Sequence, residues 1–177
     1  MKYSINAGIN EADLEAWLQR AYNKNGLYRG KYVDYTHAKI APIVMCTVIF
    51  KNKILIAKRG YGLADAEGYW STVNGFIDEM RPVKQIAQQE VRQELGLKVK
   101  AEQIFVATSY TLKNPKEKRT YIVFPCLVVL NKLPKIELDH EHTDYSWISR
   151  DQLEDYEILD DLSYTVDAAL ALKDKPA

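Results

Sequence analysis

Between positions 10 and 22 the apolar residues Leu14, Trp17, Leu18 and Ala21 recur every three or four positions, the period of a helix with one face turned to a core. Asn10 stands where such a helix begins, with Asp13 three residues on, so an N-cap is expected there. The pattern stops at the polar stretch 23–26, and a tyrosine-rich polar segment follows as far as Thr36. From Ile40 to Phe50 β-branched and apolar residues dominate, Lys51-Asn52-Lys53 interrupts them, and residues 54–59 return, which predicts a hairpin. A glycine-containing loop then leads to a short strand over 70–73, a turn at Gly75 and a helix over 82–95. Residues 99–108 and 120–130 read as strands separated by a charged loop over 113–118, and 145–148 as a last strand. Ser149 with Gln152 has the spacing of a capping box, and 160–172 carries a second apolar helical pattern.

Strands of mixed order around a central helix, with another helix at the end, predict the α/β (α+β) class and a three-layer α/β/α sandwich on a mixed sheet. The expected organisation is an accessory helix and linker over 1–37 and one domain over 38–177. Composition alters this little. A length of 177 residues suits one domain, and 47% apolar with 27% charged residues is the balance of a globular chain. Twenty-four basic and 24 acidic residues cancel, so no global field draws the chain to a nucleic acid polymer or an anionic membrane. The first residues lack the apolar core of a secretory signal, and no apolar run approaches the ~20 residues that span a bilayer, so a cytoplasmic location is expected. Cys46 and Cys126 both sit in strand-like runs, which predicts buried free thiols rather than a disulfide or metal pair and favours a reducing compartment.

The helix over 82–95 carries the chemistry. At about 100° per residue, Val83, Ile86, Ala87, Val91 and Leu95 form a stripe that should face the sheet. Arg92 projects to the solvated side, whereas Glu90 and Glu94 fall within the stripe, with Gln93 at its edge. The bland alternative is a pair of glutamates on a solvated face. Two ionised carboxylates turned inward need a positive partner, because burying each alone costs several kcal/mol. A hard divalent cation, Mg²⁺ or Mn²⁺, is the partner that two helical glutamates and a nearby carbonyl suit. Gly96 is expected to end the helix as a left-handed cap.

From Gly75 to Leu97 the chain resembles the signature of the Nudix family: Gly, five residues, Glu, seven residues, Arg-Glu, a hydrophobic residue, any residue, Glu-Glu, any residue, Gly, a hydrophobic residue. Gly75, Glu90, Val91, Glu94, Gly96 and Leu97 match it. Arg81 stands where the family has its first Glu, Gln89 where it has Arg, and Gln93 where it has the first of two adjacent Glu. The resemblance implies a metal-dependent hydrolase of a phosphoanhydride bond in a nucleoside diphosphate linked to another moiety, or in a related small-molecule diphosphate. It implies Glu90, Glu94, Gln93 (through its amide oxygen) and the carbonyl of Asn74 as metal ligands, and Glu90 or Glu141 as the group that activates water. The departures at Arg81 and Gln89 imply an altered supporting layer, and that at Gln93 implies weaker metal binding. Together they keep a second reading in play, a catalytically weak domain that binds a nucleotide-like ligand as a sensor or interaction module.

Lys58 and Arg59 at a strand end are the first candidates to meet substrate phosphates, with Arg119 behind them and the lysines of the charged loop weighed against a plain solvated hairpin tip. Tyr110 and Phe124 are candidates to stack on a base, although core packing is the safer expectation. His140 and His142 suggest zinc, but no third ligand has suitable spacing, so they are expected to be loop or supporting residues. A homodimer stays open.

Overall fold

The computed structural model describes residues 5–62 and 66–173. The chain enters through strand β1 (Ile5–Ala7) and helix α1 (Glu11–Asn25). Asn10 caps α1, its side-chain oxygen accepting from the Asp13 N–H at 2.8 Å, and Gly26 at φ 76° ends it. A small ladder of β2 (Leu27–Tyr28) and β3 (Tyr32–Val33) leads to β4 (Ile40–Phe50). The hairpin to β5 (Lys53–Arg59) turns through Lys51, whose φ is 55°. Then follow β6 (Trp70–Ser71), β7 (Val73–Phe76), helix α2 (Val83–Leu95), β8 (Ile104–Val106), β9 (Tyr110–Asn114), β10 (Arg119–Leu130), β11 (His142–Ile148) and helix α3 (Leu162–Leu170). Two 3₁₀ turns, Ala101–Gln103 and Arg150–Asp155, join neighbouring elements, and Gln152 accepts from the Ser149 N–H at 2.9 Å as the capping spacing predicts.

The main sheet runs β1-β9-β10-β4-β5-β11, with β7 alongside β4, β6 alongside β5 and β8 alongside β10. It is mixed: β10 lies parallel to β4 from Thr120 opposite Ile40 to Leu130 opposite Phe50, whereas the other ladders are antiparallel. Side chains alternate across it. Val44, Cys46, Val48, Phe124 and Cys126 pack toward α1 and α2, while Met45, Ile49, Val123 and Leu127 pack toward α3. The fold is therefore the expected α+β sandwich with helices on both faces. Cys46 and Cys126 are buried free thiols in register with each other.

Helix α1 shares the core of the α2 face, because Leu14, Leu18 and Ala21 join the cluster that holds Val83, Ile86, Val91 and Leu95. Pro82 precedes α2 and has no side-chain acceptor, so Glu11 supplies one: its Oε1 accepts from the Val83 N–H at 3.3 Å.

Three local expectations give way. Gly75 is not a turn but lies inside β7, opposite Val44, and the single strand expected over 70–73 is divided between β6 and β7. The strand expected over 99–108 shrinks to β8, because residues 101–103 coil into a 3₁₀ turn. Strands β1 and β9 were not anticipated. In β9 only Tyr110 and Leu112 are buried, an alternation too short to stand out beside the charged run that follows. Among the described residues no helix is long and apolar enough to cross a membrane.

Candidate active site

The last two turns of α2 lie against β7. The 100° arithmetic holds: Val83, Ile86, Ala87, Val91, Glu94 and Leu95 are the buried positions. Glu94 is only 7% exposed, and its Oε1 accepts from the Asn74 N–H at 3.3 Å. Glu90, half-buried, occupies the space a side chain at position 75 would need. A Cβ there would stand 2.5 Å from Glu90 Oε2, so Gly75 is a gap that admits a carboxylate. Gln93, by contrast, is exposed, so the inward pair is Glu90 and Glu94.

Gly96 ends α2 in the left-handed conformation, φ 70°, its N–H donating to the Arg92 carbonyl at 3.0 Å. The absence of a side chain there lets the segment 137–139 close over the helix end, since a Cβ would meet Glu137 Cβ at 2.9 Å. Two otherwise orphaned helix carbonyls gain donors this way: Leu95 from the Glu137 N–H at 3.0 Å and Glu94 from the Asp139 N–H at 3.2 Å. Asp139 in turn receives the Glu141 N–H at 3.1 Å and stands 2.7 Å from His142 Nδ1. Glu141 is half-buried at the start of β11, and its carbonyl accepts from the Gly60 N–H at 2.7 Å.

This concentration of acid is electrostatically loaded. Burial, then the charges of Asp78 and Glu141, pushes the Glu90 carboxyl up to about 7. Burial and the neighbouring Glu90 hold Glu94 well above the usual carboxylate range. Glu94 Oε2 and His142 Nε2 are buried without hydrogen-bond partners among the described residues, 3.7 Å apart. Among the described residues no group of three or more His, Cys, Asp or Glu side chains is already arranged to hold a metal ion. An open site of clustered carboxylates with an unsatisfied oxygen is what a hard divalent cation fits, its other positions left to carbonyl, water or substrate.

Beside this pair sits a network that the sequence did not reveal. Arg81 pairs with Glu79 and also donates to Gln89 Oε1 at 2.5 Å, while Lys31 reaches Glu79 at 2.6 Å. Burial pushes the Glu79 carboxyl up, but Lys31 and Arg81 outweigh it and hold it low. Where the signature places Glu at 81 and Arg at 89, this chain has Arg at 81 and a neutral acceptor at 89, with the acid moved to 79. Arg81 and Gln89 were visible as departures, but Glu79 was not, because it lies at an unconstrained position of the motif.

On the other side of Asn74 and Gly75 opens a cavity of about 340 Å³, bordered by Arg59, Phe76, Arg119, Tyr121 and Asp160 among others. Its size is in the range that holds small ligands. Of the expected basic residues, Arg59 borders it, while Lys58 stands in register with Trp70 and Asp144 and is not among the lining. Arg119 borders it too, but its guanidinium donates to the carbonyls of Ala38 at 3.0 Å and Tyr35 at 2.7 Å and lies 6.0 Å from the Phe76 and Tyr121 rings. Tyr110 and Phe124 are core residues, 3% and 1% exposed. The aromatic surface open to the cavity belongs instead to Phe76 and Tyr121, which strand alternation places on the cavity side.

Comparison with known proteins places the fold. The model of the NUDIX domain matches residues 39–167. The fold resembles a MutT protein from Methanosarcina mazei Go1, with a TM-score of 0.64 at 16% identity over 78% of this chain and 99% of that one. It resembles a NUDIX hydrolase from Nitrosomonas europaea equally, with a TM-score of 0.64 at 16% identity over 78% and 93% of the two chains. A bifunctional NMN adenylyltransferase/ADP ribose pyrophosphatase from Francisella tularensis, complexed with AMP and Mn ion, gives 0.58 at 19% identity, covering 92% of this chain and 47% of that one. Comparison with curated proteins finds no match. A family match over most of the chain, on a fold that places Gly75, Glu90 and Glu94 together, establishes that this chain belongs to the Nudix family.

Proposed function

We propose that this protein hydrolyses the phosphoanhydride bond of a small diphosphate, a nucleoside diphosphate linked to another moiety or a related compound, with Mg²⁺ or Mn²⁺ as cofactor. One observation carries the reading: Glu94 is buried beside Glu90 with one oxygen on the Asn74 backbone and the other without a partner among the described residues. Glu90, Glu94 and the Asn74 carbonyl are the groups to hold the cation. Gln93, being exposed, contributes less than the signature suggests. When bound, the cation neutralises charge on the phosphate oxygens and lowers the pKa of a coordinated water.

The protein's own groups do the rest. Glu90 and Glu141 are the carboxylates able to take a proton from the attacking water, and burial, then the charges of Asp78 and Glu141, makes Glu90 more basic. Arg59 is the basic side chain best placed for the phosphates at the cavity edge, and Phe76 with Tyr121 offers ring surface to a base or other flat group. Arg119 holds the segment before β4 in place, because its donors are directed to backbone carbonyls. The support around Arg81 favours catalysis over a ligand-binding relic, since a buried acid and a cation still brace the helix, only from different positions.

The test is a panel of nucleoside diphosphate derivatives assayed with Mg²⁺ and with Mn²⁺. Wild type is expected to turn over at least one compound, and Glu94→Gln to lose about 100-fold or more in kcat while keeping its circular dichroism spectrum. Equal turnover by the two proteins would remove Glu94 from the chemistry.

A further inference from the structure

Resting on the metal-site reading above, we propose that His142 is itself a ligand of the cation, supplying a nitrogen beside Glu94. The imidazole begins β11 with its side chain 2% exposed. Its Nδ1 lies 2.7 Å from Asp139 Oδ1. With Nδ1–H donating to that carboxylate, the neutral ring carries its lone pair on Nε2, the arrangement of a metal-binding histidine with a carboxylate behind it.

Nε2 faces Glu94 Oε2 at 3.7 Å, beyond hydrogen-bond reach, and neither atom has a hydrogen-bond partner among the described residues. Two buried polar atoms that confront each other unpaired are costly, and the separation is informative. Donors each about 2.1 Å from one ion lie roughly 3.0 Å apart at right angles and 4.2 Å apart when opposite. At 3.7 Å the pair stands between these two separations, so a small movement of one side chain brings both donors onto one ion.

The surrounding structure holds His142 in place. Asp139 is tied to the end of α2 through its own N–H on the Glu94 carbonyl, and its carboxylate also receives the Glu141 N–H. One tight unit therefore fixes both Glu94 and His142. His140, two residues earlier, is exposed. A ring nitrogen also makes up the donor lost where the signature's glutamate is replaced by the exposed Gln93, without restoring its negative charge. Imidazole shifts preference away from Mg²⁺, toward Mn²⁺ and later transition ions.

The experiment is pulsed EPR on the full-length protein loaded with Mn²⁺ and labelled with ¹⁵N-histidine, after a titration that establishes Mn²⁺ binding. The expected result is nitrogen modulation that changes from ¹⁴N to ¹⁵N with the label, persists in His140→Gln and is lost in His142→Gln. Asp139→Asn is expected to weaken Mn²⁺ binding by about 10- to 100-fold. Bound Mn²⁺ without label-dependent modulation, or modulation lost in His140→Gln, overturns the role of His142 and leaves the carboxylate site standing. No Mn²⁺ binding by wild type overturns both. Should His142→Gln fail to fold, the label in the wild type with His140→Gln and His37→Gln controls still decides, since these are the chain's other two histidines.

Discussion

Gly75 matters for what stands in its place. The Glu90 carboxylate fills the volume of the missing side chain, so Gly75→Ala must displace either β7 or Glu90. We expect a stability loss of roughly 1–3 kcal/mol in urea unfolding, as for other overpacked sites, together with a fall in kcat exceeding any change in KM. A variant with wild-type turnover would show that Glu90 is free to move aside. Asp161 makes a separate prediction away from the carboxylate cluster. Burial raises its carboxyl above the ordinary range, although Tyr110 donates to it at 3.2 Å. The folded state therefore holds a proton that the unfolded chain has released, and stability falls as pH climbs from the ordinary aspartate value to the raised one. Asp161→Asn keeps an acceptor for Tyr110 and should abolish that part of the decline; identical melting profiles from pH 4 to 8 would contradict it. At this scale the inward direction of Glu90 and Glu94 was legible, because it follows from 100° per residue and an apolar stripe. The role of Glu79 was not, since its partners Lys31 and Arg81 converge only in three dimensions. Arg119 read as a basic group for substrate, and nothing local announced the carbonyls of Tyr35 and Ala38 that engage it.

Helix α2 depends on its neighbours at both ends. Glu11 supplies the acceptor that Pro82 lacks, and residues 137–139 supply donors to the last carbonyls. Leu18, 1% exposed, fastens α1 beneath it. Leu18→Ala should cost about 2–5 kcal/mol in chemical denaturation, the range for a buried leucine that leaves a cavity. Thermal unfolding should remain a single transition, because α1 and α2 share one core. A small loss, or an early separate transition of α1, would mean that the helix is an appendage. Both long helices were visible in the sequence, as were the strongest strands, β4 and β10, whose apolar runs exceed what any loop would carry. Weak elements were not: β1 and β9 pair with each other across a hundred residues of sequence, so neither shows a complete signal by itself.

Across the molecule, the carboxylates are bound into the fold, so the cation should act on stability as well as on chemistry. A ligand at 100 times its Kd adds about 2.7 kcal/mol to the folded state. Mn²⁺ should therefore raise Tm, a chelator should reverse the gain, and Glu94→Gln should show little response. A mutant that responds as fully as wild type would place the ion elsewhere. The layered architecture could be anticipated from element order, but the neighbour relations could not. Nothing in residues 40–50 says that they will lie beside 120–130 in the same direction.

That arrangement has a consequence for how the protein is made. During synthesis β4 emerges, with its hairpin mate, long before the strand that will run along its whole length from Ile40 to Phe50. Until β10 leaves the ribosome, one edge of a strongly apolar ribbon has no permanent neighbour, and distant parallel pairings of this kind close slowly. Nascent chains stalled before residue 119 should accordingly be held by chaperones or precipitate, whereas release should follow once residue 130 is clear of the exit tunnel.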